Sequence, residues 1–365
     1  MAFSTSRWSR RFLQTSPARR LRPARRLWLE ILEERTLLDA VRWINLNGGD
    51  WSVPSNWSTG TLPGPADDAI VDQQGISVTH SVGTDSVNSL TSKAAFEVSG
   101  GSLTLLSDSA LSATLVISGG TLVNGRTTSV GGPLTWTAGT LSGNGRVRAD
   151  GGLAISSVSS KVLDGGTLDN AGDATWETGS ISFSHGAVFN NLAGAVFVAS
   201  GPRLVNTRIG ASPTFNNAGL FREPDHTGTL SVDGVTFINT GRVEVENGST
   251  LSLAAELHCN GSFAVASGGE LSVGNGRHTL DTLSSVTGSG TVAFIGGDSS
   301  VTGTYNLSGN TLVSAGSVSF LVDAVTATAT LSGGTLTGPG NVTVTDLLTW
   351  TGGTMSGVAA PRPAA

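Results

Sequence analysis

Carboxylates grouped beside a histidine are the first place in this sequence where side chains could do chemistry. The run Arg222-Glu223-Pro224-Asp225-His226 is followed by Asp233, then by Glu244 and Glu246 one repeat further on. Two or three carboxylates on the outer face of adjacent β-coils could protonate a leaving group and activate water at a glycosidic bond, the work of a polysaccharide hydrolase or lyase. Pro224 and the broken apolar alternation around it read more simply as a loop protruding between strands, its acids solvated.

Other catalytic signals are thin. No nucleotide-binding glycine loop, His-Glu-x-x-His pair or Gly-x-Ser-x-Gly elbow occurs. His80, His185, His226, His258 and His278 fall far apart and at different places in the repeat, which predicts no metal set. Cys259, the single cysteine, excludes an intramolecular disulfide and a cysteine-rich zinc site. The Gly-Gly-Thr-Leu units lack the Asp of a calcium-binding nonapeptide coil, and Gly296-Gly297-Asp298 is a lone exception. Neither a catalytic residue nor a cofactor is assigned.

Residues 43–72 gather Trp43, Trp51 and Trp57 with Asp50, Asp67, Asp68 and Asp72 around Gly and Pro turns. Exposed tryptophan faces could stack on sugar rings while the acids bind Ca²⁺ or hydroxyls. The preferred reading is a cap, in which the three rings cover the open end of a stack of strands and the acids shape turns. The segment resembles one that opens secreted β-helical and autotransporter-like passenger regions, where an Asn-Trp pair and a Pro-Gly turn precede the first strand.

The elements that would carry these groups are strands. Gly contributes 50 residues and charged residues only 13%, with Thr, Val, Ser and Leu making up most of the rest, so helices have little to form from. Residues 41–365 hold 12 basic and 23 acidic groups, which argues against nucleic acid as a partner. A register Gly followed by alternating apolar residues recurs at Gly145, Gly172, Gly194, Gly219, Gly241, Gly261, Gly290, Gly316 and Gly340, spaced 20 to 29 residues apart. That spacing suits one coil of a parallel β-helix and is short for a propeller blade. The expected fold is all-β, a right-handed parallel β-solenoid of about a dozen coils with its register glycines aligned along the axis.

Within this template Asn170, Asn191, Asn217 and Asn239 should stack at left-handed corners, with Cys259 as a buried fifth member. A longer period carries Ser118-Gly-Gly-Thr-Leu122, Leu134-Thr-Trp136 and Gly139-Thr-Leu141 onto Ser332-Gly-Gly-Thr-Leu336, Leu348-Thr-Trp350 and Gly353-Thr-Met355, always 214 residues on. The offset suggests a duplicated cassette of about nine coils, this chain being a piece of a longer product.

The first forty residues differ in kind, with nine Arg against four acids and no apolar core of a secretory signal peptide. Leu32-Glu33-Glu34-Arg35-Thr36-Leu37-Leu38 resembles the LEPR-XLL motif near the N-terminus of large repeat-rich bacterial surface proteins, departing at Glu34 where that family has Pro. The resemblance implies an export or sorting role for Leu32, Glu33, Glu34, Arg35, Leu37 and Leu38. Read from its pattern alone, the stretch is a short amphipathic helix.

The expected organisation is a disordered or helical leader over 1–40, a Trp-rich cap over 41–75, solenoid repeats over 76–357 and a non-repeat tail over 358–365. The expected function is that of an exported cell-surface structural or adhesive repeat protein, non-catalytic and without cofactor or transmembrane segment. Its partners would be extracellular polysaccharide or cell-envelope components. The alternative is a β-helix carbohydrate-active enzyme.

Overall fold

A computed structural model describes residues 39–200, 203–206, 209–224, 228–357 and 362–363 of the chain. The leader, its LEPR-XLL-like residues 32–38, Asp225, His226 and most of the tail lie outside these residues. Two compact units divide the chain after Leu37, and every described strand belongs to the second.

Strand after strand pairs in parallel with the strand one coil later, and the pairings sort into three faces. Face A runs from Asp39–Arg42 through Asp67–Val71 and Ser89–Ser92 to Thr354–Met355. Face B begins at Gly49–Asp50 and Ser77–His80, and face C at Thr84–Val87 and Ser102–Leu105. A coil visits A, then B, then C. Face C stacks about fourteen strand segments among the described residues, somewhat more than the dozen coils expected. No α-helix occurs among them; the one helical turn is the 3-10 segment Pro54–Asn56.

Alternation decides which side chains point in. Strands such as Ala95–Val98, Thr236–Asn239 and Ser262–Val265 bury every second residue, and those residues meet inside the coils. Stacking then puts like on like. Phe189, Phe215 and Phe237 lie face to face along face A, with centroids 5.0 and 5.5 Å apart, and Phe197 stacks on Phe221 along face B at 5.6 Å. Edge-on contacts between the two columns fill the space between them. No single coil has a core of its own, so burial depends on neighbours.

The stack begins earlier than the sequence suggests. Asp39–Arg42 is already the first rung of face A, so the Trp-rich segment is part of the first coils.

The aligned-glycine expectation holds only in part. Gly172, Gly194, Gly219, Gly241 and Gly261 share the corner between faces A and B, but Gly290 turns from B to C, and Gly145 and Gly316 turn from C to A. Partners on adjacent coils are 18 to 29 residues apart, as Ser319 to Thr337 and Gly49 to Val78 show. The glycine steps that change corner, such as Gly145 to Gly172 and Gly261 to Gly290, span one and one-third coils. The 214-residue cassette follows suit. Thr121-Leu122 lies on face C and Thr335-Leu336 on face A, while Trp136 lies on face B and Trp350 on face C. The offset spans ten and one-third coils, not nine, and the second copy is turned by one face.

Candidate functional site

Outer face B carries the densest charge at the coils that the acidic grouping predicts. Arg222 and Glu244 are register partners on adjacent rungs, both pointing outward. Arg222 Nε donates to Glu244 Oε2 at 2.8 Å and lies 3.3 Å from Glu246 Oε1, and Arg242 Nε donates to the other Glu244 oxygen at 2.7 Å. Partial burial works to raise the Glu244 carboxyl, but the two guanidinium hydrogen bonds outweigh it and hold the group below the usual carboxylate range. Beyond this network the outer side chains shrink to Ala264 and Ala266, and Gly288 on the next rung has none. The step leaves a groove of about 500 Å³ walled by Arg242, Glu244 and Glu246.

The other members of the predicted grouping go elsewhere. Glu223 follows Phe221 by two residues, so alternation turns it inward, where it has no exposed surface; the expectation of a solvated loop acid is wrong for it. Burial pushes its carboxyl up to about 8, with the Leu230 N–H as the one hydrogen bond opposing. Asp233 ends a strand of face C, around the corner from the network. An acid and a base flanking one bond are therefore not assembled from Glu223, Asp233, Glu244 and Glu246.

The three tryptophans are no sugar platform. Trp43, Trp51 and Trp57 are each at most 1% exposed and pack edge to face, Trp43 on Trp57 at 5.1 Å and Trp51 on Trp57 at 4.6 Å. Trp51 reaches on to Phe96 at 5.8 Å, joining this cluster to the interior column. Trp43 and Trp57 satisfy their indole N–H groups on the carbonyls of Asn45 and Trp51. The neighbouring acids serve local structure. Asp50 accepts from Ser52 and Ser81, Asp68 from Asn88 and Ser89, and Asp72 pairs with Arg42 and Lys93. Among the described residues no group of three His, Cys, Asp or Glu could hold a metal ion.

The asparagine ladder forms as expected, inside the end of the face A strands. Asn170, Asn191 and Asn217 each donate to the next Asn side chain at 2.8 to 2.9 Å and to a face B carbonyl one coil on. These residues sit in extended strands rather than at left-handed corners. Cys259 closes the ladder, accepting from Asn239 at 3.5 Å, and burial pushes its thiol up to about 11. An outer ladder runs beside it, with Asn216 donating to Asn190 and Asn190 to Asp169, which also pairs with Arg146.

Two polar arrangements escaped sequence reading. Asp164 on face C accepts from Ser184 and His185 of the next coil, both at 2.5 Å, and from Ser142 of the previous one at 3.3 Å. The Ser184 hydroxyl first, then His185, hold its carboxyl below the ordinary value. His185 has φ of 51°, a left-handed backbone that few side chains adopt. The second is Lys161, fully buried, whose ammonium donates to the carbonyls of Ser157 and Ser159 and lines the inside of the corner before it. The 21-residue gap from Asp164 to His185, one coil, was the available signal for the first.

Comparison with protein-family models, curated proteins and solved structures found no match to this chain. The site is therefore read from its own geometry. Among the described residues no helix is long and apolar enough to cross a membrane.

Proposed function

We propose that the chain is an exported cell-surface repeat protein with a structural or adhesive role and no catalysis of its own. One observation carries this reading. Over the coils from Gly172 to Gly261 the corner glycines between faces A and B and the asparagine ladder are kept while the outer side chains change, so that Thr175, Val198, Arg222, Glu244, Ala264 and, one rung further, Thr287 succeed one another at equivalent outward positions of face B. A repeat that preserves its scaffold and varies its surface supports a spacer or a display surface better than a reaction centre. Glu244, ionised between two arginines, is suited to binding hydroxyl groups and unsuited to donating a proton. The resemblance of residues 32–38 to the LEPR-XLL motif supports export, and extracellular polysaccharide is the partner class proposed for the face B groove.

Fractionating cells that express the whole chain, beside a form lacking residues 1–37, tests export: the first should reach the envelope and the second stay inside. Incubating the purified protein with a polysaccharide panel tests the rest. Retention on a polysaccharide without cleavage is expected, weakened in Glu244→Ala. Cleavage by the native protein that is lost in Glu244→Ala would establish the enzyme reading instead.

A further inference from the structure

Among the described residues three side chains of the Asp, Glu, Lys and Arg types have no exposed surface: Lys161, Asp169 and Glu223. Lys161 meets two carbonyls, and Asp169 meets Arg146 and Asn190. Glu223 is different. Its Oε1 accepts the Leu230 N–H at 3.2 Å, and its Oε2 is buried without a hydrogen-bond partner. It ends a face B strand with its side chain inside the coil, and its partner on the next rung is the buried Val245.

We propose that Glu223 is a proton-dependent clasp fastening the strand Gly228–Asp233 of face C to the end of the strand Leu220–Glu223 of face B. Protonated, the carboxyl stays inside the coil and pins the Leu230 amide. Ionised, it would leave an oxygen with full charge and no donor in an apolar column, so it withdraws toward water and frees the first residues of that strand. Gly228 and Thr229 are already exposed, so release exposes little apolar surface before Leu230 itself.

Among the described residues the charged groups nearby do not hold the ion in place. Arg222 points outward from the same strand and is bound to Glu244 and Glu246, whose carboxylates share that outer side. Among the described residues the next rung offers Val245, and the facing strand offers the Leu230 amide. Asp225 and His226 come next in the chain, outside the described residues. With the folded carboxyl raised to about 8 against an ordinary 4.5, the clasp is fully closed below the ordinary value. It then weakens about tenfold per pH unit as pH rises and levels off once the folded value is passed.

Amide hydrogen exchange, expressed as protection factors so that intrinsic pH dependence divides out, tests this on the whole chain. Protection at Leu230 should fall about tenfold per unit between pH 5 and pH 8, while that of Leu103 in a distant coil stays constant. Glu223→Gln should hold Leu230 protection flat across the same range. An infrared band of a protonated carboxyl, present at pH 6 in the native protein and absent from Glu223→Gln, is the second measurement and does not depend on how well the variant folds. A flat native profile, an equal slope in Glu223→Gln, or no such band at pH 6 would each overturn the clasp.

Discussion

At the residue scale, the polar groups of this protein divide by which neighbour satisfies them. The asparagine ladder shows the rule and its exception. Each Asn feeds its amide to the next oxygen, but Cys259 offers only a weak sulfur acceptor to Asn239. Cys259→Asn would supply a carbonyl oxygen to Asn239 and an amide near the next face B strand. Thermal and urea unfolding should show a gain of about 0.5–1.5 kcal/mol, the net contribution of one buried hydrogen bond. Asp164 gives a pH signature opposite to that of Glu223. Its folded carboxyl is lowered by Ser184 and His185, so its contribution is present above the ordinary carboxylate value and is lost as pH falls through the lowered one. Urea unfolding from pH 5 to pH 2 should show this loss in the native chain and a shallower one in Asp164→Asn.

At the scale of strands and corners, the interior column is the sensitive part. Val243 lies between Phe221 and Phe263 on consecutive rungs with no exposed surface. Val243→Asp should cost on the order of 3–5 kcal/mol, since an unpaired charge would sit among aromatic rings; the urea midpoint measures it. Gly241 tests the corner. A Cβ there would come within 2.2 Å of the Gly219 carbonyl oxygen, a backbone atom that cannot step aside, so Gly241→Ala should lose about 1–3 kcal/mol in the same assay. Strands, alternation, parallel coils and the Asn170 to Cys259 ladder were legible in the sequence, because each is written in local pattern plus one regular spacing. The phase of the coils was not. A glycine corner reads alike whether it joins A to B, B to C or C to A, so Gly261 and Gly290 looked equivalent and are not. Glu223 was legible in principle, two residues after Phe221, but the adjacent Pro224 suggested a loop.

For the second unit as a whole, stability rests on stacking between neighbours, with the tryptophan cluster buried in the first coils. Removing residues 1–37 should leave the melting temperature and the far-ultraviolet circular dichroism of the body unchanged; a lowered melting temperature would contradict this. The ten-and-one-third-coil offset of the cassette says something further about how such a chain can change. The interchangeable part is one strand with its corner, roughly a third of a coil, because the same Gly-Gly-Thr-Leu and Leu-Thr-Trp segments serve on different faces. Gain or loss of six or seven residues at a corner therefore need not break the fold. Every later side chain would be carried around to the next face, so the compass bearing of a surface patch can be reset by a short insertion while the interior columns close up behind it.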